Sequence, residues 1–327
     1  MSFVRYNTED SVISAESVIR PMWINEAYTL STFFTQSGYT EYYLDVYNAN
    51  PSLTGSEVQF DIQYGHIAGS GSVPINLTVP GYSPSRVVYG QYRNLVYGTE
   101  TENFSFDGGV TTAQQIYVIN IARSRYKESI QPGSLNLTLI SGSAAIKLTD
   151  DSNTTSLTRF IGENRIFYII SGSNGNAFTS SAATTYYGIM LPDLGFIVLN
   201  ASGSLTPYIQ AANLTTASAQ DNHVKLWRSI VSGSSSGSFQ LRSQETVSSR
   251  FFFTRVKNSE FNYTTNPSII DANGNLLFTT LINNPQTFIT TVGMYNDNNE
   301  LLAVAKLSKP LVKDFTKEAL IRIKLDY

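Results

Sequence analysis

Period-two alternation of apolar and polar positions is the strongest signal along the chain. Over residues 57–64, Val58, Phe60, Ile62 and Tyr64 alternate with Glu57, Gln59, Asp61 and Gln63, the pattern of a half-buried strand. The closing segment "ALIRIKLDY" repeats it, with Ala319, Ile321, Ile323, Leu325 and Tyr327 on one side and Arg322, Lys324 and Asp326 on the other. "EYYLDVYN", "QQIYVINIA", "LNLTLI", "RIFYIISG" and "FFFTRVKN" read as further strands, as does "YYGIMLPDLGFIVLN", bent at Pro192-Asp193. "TTVGMYNDNNELLAVAKLSKP" (residues 290–310) predicts a β-hairpin with its polar tip at 296–299. Its two runs are apolar on both faces, so a folded monomer is expected to cover both. "IRIKLDY", after a break at Pro310, is the expected third strand of a meander.

Helical signals are fewer. Residues 14–19 predict a short helix limited by Pro21. Residues 123–130 predict one or two helical turns before Pro132-Gly133. The best helix is 221–231, with Val224, Trp227, Ile230 and Val231 on one face and Asp221 or Asn222 as its cap. The expected fold is therefore mainly β: antiparallel β-sandwich-type domains with one or two short helices. The expected segments are an N-terminal arm or docking region (1–52), a β region (53–110), a central β domain with short helices (111–231) and a C-terminal β domain with a meander (239–327). The stretch "SGSSSGS" (232–238) is the flexible connection before the last of these.

Composition strengthens the β reading. With 327 residues the chain exceeds the roughly 250–300 at which one core usually splits. Only 14% of residues are charged, and Asn, Ser, Thr and Tyr replace the missing charge. The net charge is −3, and the densest basic cluster, Arg123-Ser-Arg125-Tyr-Lys127, is closed by Glu128. That balance argues against nucleic acid as a partner, which asks for a basic face. No apolar run reaches the length of a membrane span, and the N-terminus has no signal-peptide pattern, so a soluble protein made in a cytosol is expected.

The catalytic inventory is thin. The absence of cysteine excludes disulfides, thiolate zinc sites and cysteine nucleophiles. The two histidines, His66 and His223, stand in no metal or triad motif. His66 is expected to brace the loop after its strand. Gly69-Ser-Gly71 completes no phosphate-loop pattern and reads as a turn. Asp150-Asp151-Ser152-Asn153 reads as a turn whose side chains cap backbone N–H groups. "SFDGGVT" (105–111) has the spacing of the Asp box of sialidase-like propellers. Thr112 stands where an aromatic belongs and the element does not recur, so it reads as a hairpin turn. No catalytic residue, cofactor or metal is expected.

Six segments are similar to virion structural proteins of tailed bacteriophages, especially T4-like phages with contractile tails that infect marine bacteria and cyanobacteria. They are "VQFDIQYGHIAGSGS", "SRVVYGQYRNLVYG", "IYVINIARSRYKESIQPGSLNLTL", "LTDDS", "EFNYTTNPS" and "TTVGMYNDNNELLAVAKLSKP". The resemblance implies a baseplate or tail-associated subunit, located in the virion and assembled in the bacterial cytoplasm. Its implied partners are other tail or baseplate proteins and copies of itself. A receptor- or carbohydrate-binding β-protein at the tail tip, with a host receptor as partner, is the alternative. The residues to examine as interface or structural motif are Arg123, Arg125, Tyr126, Phe261, Asn262, Tyr263, Tyr295, Leu302 and Val304.

Overall fold

The computed structural model describes residues 5–36, 42–73, 78–79, 82–107, 110–210, 221–231, 239–263 and 266–326. The connection at 232–238, the glycines of the 105–111 turn and Tyr327 lie outside them. The chain forms two compact units, one of residues 17–245 and one of residues 1–16 with 246–327.

In chain order the strands begin with β1 (Ser11–Pro21), β2 (Thr29–Leu30), β3 (Phe34–Thr35), β4 (Tyr43–Tyr47) and β5 (Val58–His66). After helix α1 (Pro84–Tyr97) come β6 (Gln115–Ile121), β7 (Ser129–Ile130), β8 (Asn136–Ser141), β9 (Ala144–Asp150), β10 (Arg159–Ile161) and β11 (Asn164–Ser173). β12 (Asn176–Ala177), β13 (Gly188–Leu191) and β14 (Phe196–Asn200) follow, then helix α2 (Asn222–Val231), β15 (Phe239–Gln240) and β16 (Arg242–Val256). The short helix α3 (Thr279–Asn283) precedes β17 (Thr287–Tyr295), β18 (Leu301–Lys313) and β19 (Ala319–Asp326). The fold is mainly β and antiparallel, as the alternation predicts.

The 17–245 unit is organised by one long sheet in the order β2-β15-β8-β9-β11-β13-β14-β6-β5-β4-β3. Its central strands are apolar on both faces because each face carries a core. Tyr117, Ile119, Met190, Ile197 and Leu199 pack in one, with Trp23, Phe60, Leu137, Phe239 and, from α2, Leu226 and Ile230. Ile116, Val118, Ile189, Leu191 and Val198 pack in the other, against Val88, Tyr89, Tyr92 and Val96 of α1. Met22, Trp23, Leu30 and Val46, from the first fifty residues, belong to the first core.

Helix α1 went unpredicted, although its signals are ordinary. Pro84 occupies the first turn, and Gly98 takes the left-handed C-cap at φ 69°, its N–H bonded to Asn94 O. Ser85, Val88, Tyr89, Tyr92 and Val96 form the buried stripe. Helix and sheet approach closely because β5 has Gly65 at the crossing, where a Cβ would lie 3.0 Å from Tyr89 N. Two helical expectations are corrected. Residues 14–19 lie inside β1; Val12, Ile13, Val18 and Ile19 supply β-branched side chains without a helical stripe. Of residues 123–130 only Arg123–Arg125 turns, as a single 3-10 turn, and Ser129–Ile130 is strand β7, paired with β16.

Several turns are as expected. Ala68 N donates to His66 Nδ1 (2.9 Å), and burial lowers the His66 pKa. Asp150 Oδ2 accepts from Gly133 N (2.6 Å) and Asp151 Oδ1 from Tyr168 N (3.0 Å). The hairpin expectation at 105–111 is corrected: among the described residues the segment lies in the connection from α1 to β6, with no strand directly before it. There Asp107 Oδ1 accepts from Thr111 N (2.8 Å) and Ser105 Oγ (2.7 Å); the Thr111 bonds, side chain and backbone, chiefly hold the Asp107 carboxyl down to about 2.

One cross-strand pair opposes the fold. Asp45 on β4 stands directly opposite Asp61 on β5. Asp61 accepts from Gln63 Nε2 and Asn120 Nδ2, both at 2.7 Å. Burial raises both carboxyls, and the Asp45 charge raises Asp61 further. Acids raised on folding stabilise below their unfolded values, and this stability is lost as pH rises through the folded values. Like charges directly opposite cost up to about 1 kcal/mol. Asp45→Asn should therefore raise the melting temperature at pH 7 by about 2 °C. The gain should shrink towards pH 4, as both carboxyls take up protons. Thermal melts of the two proteins across this range check it; an equal shift at every pH contradicts it.

Candidate interaction surface

The expected hairpin forms, in the unit of residues 1–16 and 246–327. β17 and β18 pair antiparallel and make a two-stranded sheet of their own. The third-strand expectation is corrected: β19 pairs with β16, from Ser249↔Asp326 to Val256↔Ala319. Pro310 does not end β18. Between the Ile289↔Leu311 and Thr291↔Lys306 pairs, residues 307–310 stand opposite Thr290 alone, and Pro310 lies within this bulge. A bulge tolerates a residue that has no N–H for the ladder.

The tip is a closed five-residue loop, 296–300. Asn296 N donates to Glu300 O (3.0 Å), and Asn296 Oδ1 accepts from Asn298 N (3.0 Å) and Glu300 N (2.8 Å). Asn299 takes the left-handed conformation at φ 62°, which Asn tolerates better than most residues. These polar residues therefore serve to turn the chain.

Register divides the hairpin into two faces. The pairs Val292↔Ala305 and Met294↔Ala303 make a half-buried inner face. With Ile323 and Leu325 of β19 they line a cleft of about 250 Å³. The pairs Gly293↔Val304 and Tyr295↔Leu301 make the outer face, and Leu302 is the extra residue of a second bulge beside them. Gly293 leaves room for its neighbours: a Cβ there would meet the Tyr295 ring at 3.0 Å and Leu301 Cδ1 at 3.4 Å. This face is open. Leu302 is 66% exposed, Val304 57%, Leu301 53% and Tyr295 42%. The expectation that the folded chain covers both faces is thus corrected, because among the described residues no further strand pairs with the hairpin and the outer face is exposed.

The base of the hairpin is held by the "EFNY" segment. Lys313, fully buried at the end of β18, donates from Nζ to Asn258 O (2.9 Å), Asn262 Oδ1 (2.8 Å) and Asp314 O (2.9 Å). Thr287 Oγ1 donates to Phe261 O (2.5 Å), and Phe261 takes φ 56°. Tyr263 Oη donates to Gly274 O (2.8 Å). Phe261, Asn262 and Tyr263 therefore serve the hairpin's attachment, while Tyr295, Leu302 and Val304 lie on or beside its outer face.

Arg123, Arg125 and Tyr126 belong to the 17–245 unit and form a separate clamp. Tyr126 is buried and donates from Oη to Leu194 O (2.8 Å). The Arg123 guanidinium lies 4.6 Å from the Tyr126 ring centroid, and Arg125 pairs with Glu57. Sequence reasoning missed Lys313, whose position at the end of an amphipathic strand reads as solvent-exposed.

Among the described residues no group of three or more His, Cys, Asp and Glu side chains stands close enough to hold a metal ion, and no helix is long and apolar enough to cross a membrane. Comparison of the chain with known protein families, curated proteins and solved structures returned no match.

Proposed function

We propose that this protein is a structural subunit of a tailed-phage virion, a baseplate or tail-associated component that joins copies of itself and its neighbours through the outer face of the β17–β18 hairpin. The observation that carries the reading is the exposed apolar cluster of Tyr295, Leu301, Leu302 and Val304. A contiguous exposed apolar cluster marks an interaction site. A lone two-stranded hairpin is marginal in water, and a partner laid on its open face would stabilise it. Among the described residues its strands also have unpaired edges, which suit addition of a neighbouring strand. The similarity of "EFNYTTNPS" and the hairpin segment to phage virion proteins supplies the context. The low charge and abundant Asn, Ser, Thr and Tyr suit contacts made by many hydrogen bonds.

Val304→Asp tests the surface. At an exposed position the charge should leave the thermal midpoint within about 2 °C of wild type. Buried in an assembly, an unpaired carboxylate costs several kcal/mol. Sedimentation velocity should therefore show an associating wild-type chain and a monomeric, folded variant. A variant that associates like wild type contradicts the assignment of this face.

A further inference from the structure

A second feature, within the 17–245 unit, is independent of the hairpin. A polar cleft of about 260 Å³ opens between the β2–β15–β8 edge and the turns around residues 131–134, 153 and 174. Its wall is Tyr28, 46% exposed, with the Arg242 guanidinium 4.8 Å from the ring centroid. Its remaining polar surface is mainly amide, from Gln131, Gln240, Asn153 and Asn174, with the hydroxyls of Thr29 and Ser134.

The floor is fixed by bonds that leave other atoms unused. Asn136 Oδ1 accepts from Asn174 N (3.0 Å) and Ser173 Oγ (3.0 Å), while Asn136 Nδ2 donates to Asn174 Oδ1 (2.8 Å). This orients the Asn174 amide and leaves its Nδ2 without a partner among the described residues. Asn153 Nδ2 donates to Asn174 O (2.8 Å), which leaves Asn153 Oδ1 free in the same way. Gln131 Oε1 is buried and has no hydrogen-bond partner among the described residues. A buried acceptor left unpaired is unfavourable until a donor reaches it. The Arg242 side chain makes no ion pair among the described residues.

These groups define a ligand chemistry. Free acceptors at Gln131 and Asn153 need a ligand that donates from well-separated positions; a simple carboxylate has no O–H, and hydrogen phosphate carries only one or two on a single small centre. Free amide donors at Asn174 need a ligand that also accepts. Hydroxyl groups do both. The uncompensated guanidinium asks for an anion and grips a planar carboxylate through two parallel N–H bonds. The Tyr28 ring offers a flat apolar surface for the C–H face of a sugar ring. We propose that this cleft binds a carboxylated monosaccharide unit, a uronic acid or a close analogue, with Arg242 on the carboxylate and the amides of Gln131, Gln240 and Asn174 on the hydroxyls.

Titration of the full chain with methyl glucuronide and methyl galacturonide, followed by calorimetry or ligand-observed NMR, tests this. Methyl glucoside and inorganic phosphate are the controls. At least one uronide should bind in the millimolar range. The matching neutral glycoside should bind about tenfold more weakly, and phosphate should not compete. Arg242→Gln should erase the preference for the acid while keeping the neutral sugar, and Tyr28→Ala should weaken both. Both positions are exposed, so the melts of the variants should match wild type. No binding of either uronide, phosphate binding as strong as uronide binding, or an acid preference that survives in Arg242→Gln would each overturn the proposal.

Discussion

Replacing Gly195 with alanine should lower the melting temperature of the 17–245 unit by about 10 °C. Gly195 ends the four-residue loop between β13 and β14 at φ +77°, where any other L-residue except Asn or Asp is strained by roughly 1–2 kcal/mol. The space is occupied as well: a Cβ there would lie only 2.1 Å from Tyr126 Oη and 2.2 Å from Tyr126 Cζ. The ring cannot swing aside cheaply, because Tyr126 is buried, donates to Leu194 O and carries the Arg123 cation against its face. Overpacking of this kind adds about 1–3 kcal/mol. The loop is also tied to the sheet through Ile121 N, which donates to Gly195 O (2.8 Å). A double variant with Tyr126→Ala should lose less than the sum of the two single losses, since one removes the atoms the other strikes. Additive losses would show that backbone strain alone makes Gly195 necessary.

Lys313→Met should have a comparable effect on the other unit. The ammonium is fully buried and bonded to three oxygens, of Asn258, Asn262 and Asp314. A thioether fills the space but donates nothing. The Asp314 oxygen is buried and those of Asn258 and Asn262 are part-buried; a buried oxygen left without a donor costs about 1–3 kcal/mol, so a total loss of about 3 kcal/mol is expected. The damage should be local first. Residues 257–263 should lose hydrogen-exchange protection along with the 311–313 end of β18, while the 17–245 unit keeps its own. Lys313→Arg should not rescue, because a planar fork cannot reach three oxygens arranged around a point charge. A variant that melts within a degree of wild type would show that the contact is incidental.

Much of the fold was legible because its strands alternate or run apolar, and the fold sets which. "VQFDIQY" alternates because β5 has α1 over part of one face and the main core on the other. "QIYVINI" and "GFIVLN" do not alternate because they are central strands with a core on each side. Helix α2 was legible from its Val224–Trp227–Ile230 stripe. Helix α1 was obscured by Gly90 and a run of Val and Tyr, residues that favour strands unless a packed stripe overrides them. The hairpin was legible down to its tip, but its environment was not. Two apolar faces imply two covers, and the pattern does not say whether a cover comes from the same chain. Strand β19 had the right alternation to be the cover and pairs elsewhere, since the eight-residue register with β16 outcompetes an edge interrupted by the Pro310 bulge. The polar cleft was invisible because its amides come from distant, Asn-rich turns that read singly as loops.

The outer hairpin face as an assembly surface is most directly tested by the distance between hairpin tips of neighbouring copies. The chain has no cysteine, so Asn298→Cys places a single spin label on the exposed tip. In pulsed dipolar spectroscopy the labelled chain should give a defined distance peak that deepens with concentration and fades on dilution with unlabelled chain. Adding Val304→Asp should abolish it. A chain that shows no dipolar coupling and a monomer mass at every concentration, or a peak that survives Val304→Asp unchanged, would contradict the account.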